Sequence, residues 1–145
     1  MNTHVVRGYL YVLMGGLLAQ GLGSLLFRLV PRLPTISPVL VRGTFGIDFW
    51  HSWVHIVWGA AGLLILGRRR DMRTATRLAL AFGAFYTTFG ILGVVIHHPL
   101  GLQLDSFENT FHLTAGPLTL LIGVVAAVKV VAPTQTPAIE SHADD

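Results

Sequence analysis

Four long apolar stretches constrain this chain more than any other feature of its sequence. A helix needs roughly 20 mostly apolar residues to cross about 30 Å of hydrocarbon, and residues 8–30, 48–67, 76–96 and 107–131 meet that length. Charged residues make up only 12% of the chain, against about 25% in soluble domains. A water-facing surface cannot be built from this composition. The sequence therefore predicts an all-α integral membrane protein with one four-helix domain over residues 1–131.

The segments between and after the spans predict loops of different kinds. Residues 31–47 hold three prolines and predict an irregular loop, whereas residues 68–75 and 97–104 form short connections. Residues 132–145 have a composition rich in Pro, Thr and Ala, typical of a disordered tail. The first span is glycine-rich and lacks a cleavage site of small residues, so we interpret it as a retained helix rather than a signal peptide.

The distribution of arginine predicts the orientation in the membrane. The connection between the second and third spans contains Arg68, Arg69, Arg70 and Arg73, and short loops rich in Lys and Arg stay in the cytoplasm. Both termini should then be cytoplasmic. The net charge of +3 is explained by this topology, so we do not expect a nucleic-acid partner.

The second and fourth spans repeat one pattern at a constant offset in the numbering. Asp48, His55 and Gly59 correspond to the later set, which is Asp105, His112 and Gly116. A weaker echo between the first and third spans aligns Gly16 with Gly83 and Gly23 with Gly90. Two tandem helical hairpins predict a four-helix bundle with a pseudo-two-fold axis along the membrane normal.

Two motifs open the second and fourth spans, and they resemble those of a known family. The motifs are His51-x-x-x-His55-x-x-x-Gly59-x-x-Gly62-Leu63 and Glu108-Asn109-x-x-His112-x-x-x-Gly116. They resemble a bacterial family of small four-span membrane proteins known only as a domain of unknown function. This chain differs in having Asp48 where Asn is usual and Glu108 where Asp is usual. The resemblance implies the four-span architecture and the cytoplasmic membrane of a bacterium, and it implies no activity.

Helical spacing places the polar and small residues of each span on one stripe. Residues at positions 0, +4, +7, +11 and +14 share a helix face. Because a polar stripe facing lipid is costly, we expect the stripes to face each other. The residues predicted to pack the bundle are Gly16, Gln20, Gly23, Gly59, Gly62, Gly83, Thr87, Gly90 and Gly116.

Two histidines stand out within these stripes. His55 and His112 each follow an aspartate by two helical turns, about 10 Å into the span, and ionisable residues inside a membrane are functional candidates by default. We predict that both rings face the bundle interior, close to each other or to a shared ligand. The full set of candidate ligand residues is His51, His55, His112, Asp48, Asp105, Glu108 and Asn109.

The motifs leave several functions open, although none of them predicts an enzyme. His51 and His55 have the histidine spacing of a zinc-binding helix but lack the Glu beside the first His. The first hypothesis is an accessory subunit or small-ligand-binding bundle, with the bilayer and another membrane protein or a second copy as partners. The second is a protein that binds haem b or a divalent metal such as Zn or Cu through His55 and His112. The third is a small oligomeric transporter or proton-relay element.

Overall fold

The computed structural model describes residues 2–30, 32, 46–102, 104 and 106–131. Within these ranges the chain forms four α-helices, one 3-10 turn at Pro99–Gly101 and no strand. The helices are α1 (Thr3–Leu29), α2 (Phe49–Arg68), α3 (Met72–Ile96) and α4 (Ser106–Val131). The predicted all-α four-helix fold is confirmed. The predicted tail, residues 132–145, and most of the first loop lie outside the described residues.

All four helices are long and apolar enough to cross a membrane, and the chain is a multi-pass membrane protein. Asn2 caps α1, Asp48 caps α2 and Asp71 caps α3, each by accepting a hydrogen bond from a backbone N–H in the first turn. With these caps, α1 and α3 begin about one turn before the starts expected from hydropathy alone. The first turn of α3 therefore carries polar residues outside its apolar span.

The helices pack as two hairpins, α1 with α2 and α3 with α4. Gly59 of α2 touches the backbone of α1, where an added Cβ would lie 2.6 Å from the Leu18 backbone nitrogen. Gly116 of α4 touches α3 in the same way, with an added Cβ 2.5 Å from the Thr87 backbone nitrogen. Glycine at these two points allows the backbones to approach closely, as is common between membrane helices.

These contacts correct the predicted register between α1 and α3. Gly59 and Gly116 are equivalent in the repeat, so their contact partners Leu18 and Thr87 should be equivalent as well. The alignment of Gly16 with Gly83 would instead pair Leu18 with Phe85, two positions before Thr87. The structure therefore shifts the alignment of α1 on α3 by two positions.

A second pair of glycine contacts gives the same shifted register. Gly21 of α1 contacts Ile56, and Gly90 of α3 contacts Leu113, which is the equivalent of Ile56 in the repeat. Gly90 therefore corresponds to Gly21 rather than to Gly23. In α1 the close approach to α2 at this level is made by Gly21.

The other residues predicted to pack the bundle occupy different environments. Gly62 contacts the Met14 side chain, and Gly83 contacts the backbone of Leu120. Gly23 and Gln20 are half-buried. The prediction for Gly16 is wrong, because this glycine is exposed and an added Cβ would meet no atom within 4 Å.

Side chains join the two hairpins. Phe82 and Tyr86 of α3 are buried together with Leu10, Met14 and Leu17 of α1 in one apolar core. The Tyr9 and Thr119 hydroxyl oxygens lie 2.6 Å apart and form a hydrogen bond between α1 and α4. The space between the hairpins is thus filled by long side chains rather than by close backbone contact.

The two ends of the bundle differ in chemistry. Arg7, in the first turns of α1, donates hydrogen bonds to the backbone carbonyls of Leu66 and Arg69 at the end of α2. Carbonyls at a helix end have no helical partner of their own, so the arginine satisfies them. The arginine-rich connection and the start of α1 therefore share one end, and the starts of α2 and α4 lie at the other.

Candidate metal centre

Three histidines meet between the hairpins, within the first two turns of α2 and α4. His51 and His55 are one helical turn apart in α2 and therefore project from the same face, while His112 projects from α4. Their exposed fractions are 2%, 1% and 2%. One ring nitrogen of each histidine lies within 4.8 Å of the corresponding nitrogens of the other two.

The three rings are packed against one another and against aromatic neighbours. The ring centroids are 4.6 Å apart for His51 and His55, 5.4 Å for His51 and His112, and 6.3 Å for His55 and His112. Tyr86 of α3 closes the deeper side, with its ring centroid 4.9 Å from that of His112 and 6.0 Å from that of His55. The three histidine rings therefore pack together at the junction of three helices.

The ring nitrogens of this group lack the hydrogen bonds that burial normally requires. Neither nitrogen of His55 has a hydrogen-bond partner among the described residues, and the same holds for Nδ1 of His51 and Nδ1 of His112. A neutral imidazole has one N–H and one nitrogen lone pair. Leaving a buried donor or acceptor unpaired costs about 1–3 kcal/mol. The group thus carries an energetic cost that a ligand could remove.

Glu108 lies at the edge of the histidine group. Its side chain is 6% exposed, and its Oε2 atom lies 3.6 Å from Nδ1 of His51. Glu108 is in the first turn of α4, where the partial positive charge of the helix N-terminus stabilises a carboxylate. His51 and Glu108 are also equivalent in the repeat, which therefore places a histidine and a carboxylate at matching positions of the two hairpins.

The remaining candidate ligand residues make other contacts or lie beyond the described residues. Asp48 accepts a hydrogen bond from the backbone N–H of His51 at 2.9 Å, so it orients the first turn of α2. Asn109 touches Gly93 of α3 and donates a weak hydrogen bond to the Leu104 carbonyl at 3.4 Å. Asp105 lies outside the described residues. His97 and His98, which follow α3, are exposed.

Tyr86 is the site residue that sequence reasoning missed. It follows Gly83 and precedes Gly90 at helical spacing, so all three share one face of α3. The sequence pattern instead places Thr87, the next residue along the chain, on this stripe. Because Tyr is common in apolar cores, only its ring contacts with His55 and His112 reveal its place in the site.

The group has the chemistry of a site for a divalent transition metal. Neutral imidazoles are ligands for Zn, Cu, Fe and Ni, and a carboxylate is an additional oxygen ligand. Tetrahedral zinc has Zn–N bonds of about 2.0–2.1 Å, which places ligand nitrogens about 3.3 Å apart. The histidine nitrogens lie within 4.8 Å of one another, so inward ring movements of about an ångström would bring them to this spacing.

Fold and site together define a class, a four-span membrane bundle with a buried histidine group between its hairpins. Residues 36–125 match the model of the family described as a domain of unknown function (DUF4383), and this chain belongs to that family. The match includes all three clustered histidines and Glu108. Comparison with curated proteins and with solved structures gave no match.

Proposed function

We propose that this protein binds one Zn²⁺ ion inside the membrane domain, with His51, His55 and His112 as ligands. The observation that carries the proposal is His55, which is 1% exposed and has no hydrogen-bond partner for either ring nitrogen among the described residues. A second histidine of α2 and one of α4 lie within reach of the same point. Glu108, whose Oε2 atom lies 3.6 Å from Nδ1 of His51, would supply the fourth ligand.

A purely structural role for the histidines is less favoured by the same geometry. A polar side chain that holds two membrane helices together does so by donating or accepting a hydrogen bond across the interface. Among the described residues no such bond is made by His55, although it is surrounded by side chains. A metal ion would bind a nitrogen lone pair of each ring, and this bond would offset the cost of burying a ring nitrogen without a hydrogen-bond partner.

The packing favours a single ion over haem b. Haem bound by His55 and His112 would require a flat porphyrin between the two rings. The His51 ring occupies this region, with its centroid 4.6 Å from that of His55 and 5.4 Å from that of His112. An ion needs only small movements of the three rings, whereas a porphyrin would need the hairpins to separate.

The placement of the ligands supports an accessory rather than an enzymatic role. Two ligands come from α2 and one from α4, so the ion would link the two hairpins at the end opposite the arginine-rich connection. Zn²⁺ has no redox chemistry, and with Glu108 as the fourth protein ligand the site would be closed and four-coordinate, as structural zinc sites are. With the arginine-rich connection in the cytoplasm of a bacterium, this ion would be loaded from the extracytoplasmic side.

The test is the metal content of the protein purified in detergent without chelators. We expect about one zinc per chain by elemental analysis and no Soret band in the visible spectrum. His55→Gln should lower the zinc content to near zero, because a neutral amide is a poor ligand for zinc, while circular dichroism shows the same helix content.

His97→Gln is the matched control, since His97 is exposed and outside the histidine group. It should retain its zinc. Zinc below one ion per ten chains after reloading with ZnCl₂, or equal zinc in the His55→Gln and His97→Gln variants, would contradict the proposal.

A further inference from the structure

A second polar site lies at the opposite end of the bundle, in a groove between the start of α3 and the end of α4. The groove is lined by Arg73, Thr76, Arg77, Leu80, Ala127 and Val130. It lies near the arginine-rich connection and is separate from the histidine group. Its lining changes from charged to apolar along α3.

The charged end of the groove has unused hydrogen-bonding capacity. Arg73 and Arg77 are exposed and lie one helical turn apart on the same face. Neither forms an ion pair or hydrogen bond with a described residue. Thr76 is 5% exposed, and its hydroxyl has no hydrogen-bond partner in the described part of the chain. Two guanidinium groups beside a buried hydroxyl are suited to binding a phosphate group.

The other end of the groove is apolar and enters the membrane-spanning part of the helices. Leu80 lies one turn beyond Arg77 at this end, while Ala127 and Val130 of α4 form the apolar wall opposite the arginines. A free phosphate ion would leave this part of the groove empty. A phospholipid would use both parts, because its phosphate joins a polar headgroup to acyl chains.

We propose that this groove binds an anionic phospholipid, with its phosphate between Arg73 and Arg77 and an acyl chain along Leu80 and Ala127. Thr76 would donate a hydrogen bond to a phosphate oxygen. The expected cytoplasmic location agrees with this ligand, since basic residues next to a span are attracted to anionic lipids of the cytoplasmic leaflet. The proposal does not depend on zinc binding.

The test is native mass spectrometry of the full chain with phosphatidylglycerol or phosphatidylcholine added in detergent. The double variant Arg73→Gln/Arg77→Gln should bind phosphatidylglycerol about tenfold more weakly, since each basic residue contributes to the attraction. Thr76→Val keeps the charge and side-chain shape, and it should weaken binding severalfold by removing the hydroxyl.

The matched control is Arg68→Gln/Arg70→Gln, which removes the same charge outside the groove. It should bind phosphatidylglycerol like the unchanged protein. Equal losses in both double variants, or equal binding of phosphatidylcholine and phosphatidylglycerol, would contradict the proposal. Inorganic phosphate that displaces phosphatidylglycerol at equal concentration would assign the site to free phosphate and would also overturn it.

Discussion

At the scale of single residues, the histidine group shows how positions on one helical stripe can have different roles. Asp48 and His55 lie on the same stripe, and both are candidate ligands from the sequence. In the structure the carboxylate of Asp48 caps α2 through the His51 backbone N–H, whereas His55 has no hydrogen-bond partner among the described residues. Helical spacing predicts on which face of the helix a residue lies. The contact that its side chain makes depends on the neighbouring loops and helices.

Substitutions of Asp48 separate capping from metal binding. Asp48→Ala should destabilise the protein by about 1 kcal/mol, because a lost cap leaves a backbone N–H unpaired. Asp48→Asn should retain most of the stability, since Asn is an equally good cap, and both variants should retain zinc. Thermal unfolding in detergent and zinc analysis measure the two effects. Loss of zinc in Asp48→Asn with unchanged helix content would make Asp48 a ligand.

At the scale of helices, the packing of α1 against α2 depends on which glycine of α1 faces α2. The sequence offers Gly8, Gly15, Gly16, Gly21 and Gly23, which are distributed around the helix. Only tertiary contact distinguishes them, and the contacts between α1 and α2 select Gly21. In α2 and α4 the glycines Gly59 and Gly116 lie in the same stripes as His55 and His112, so periodicity predicts them directly.

Alanine substitutions test this distinction between buried and exposed glycines. Gly59→Ala should destabilise the protein by about 1–3 kcal/mol, because its Cβ would overlap the α1 backbone. Gly16→Ala is the matched control and should stabilise α1 slightly, since Ala favours the helix over Gly by up to about 1 kcal/mol and has open space here. Thermal unfolding of both variants is the measurement. A Gly59→Ala protein as stable as Gly16→Ala would show that the close helix approach is absent.

At the scale of the whole molecule, the fold is the part that the sequence predicts best. The length and low charge of the spans are sufficient to predict four helices, and the repeat is sufficient to predict two hairpins. The sequence did not identify Tyr86 as a neighbour of His112, because that contact depends on the packing of α3 against α4 around the site. Local spacing thus predicts each helix and its polar face, while contacts between helices require the structure.

The orientation in the membrane is a separate prediction at this scale. A reporter enzyme that works only in the cytoplasm should be active when it is fused within the arginine-rich connection, because Arg68, Arg69, Arg70 and Arg73 resist translocation. A reporter enzyme that works only outside the cytoplasm should be active when it is fused within residues 97–104. The reverse pattern would place the histidine group near the cytoplasm and would contradict loading of zinc from outside.

Zinc X-ray absorption of the purified protein tests the central claim, metal binding by the histidine group, most directly. We predict a first shell of nitrogen and oxygen atoms at about 2.0–2.1 Å, with outer-shell scattering from three imidazole rings. His112→Gln should lose the scattering of one ring if zinc is retained at all. A zinc shell without imidazole scattering, or a spectrum unchanged by His112→Gln, would show that the ion is bound elsewhere.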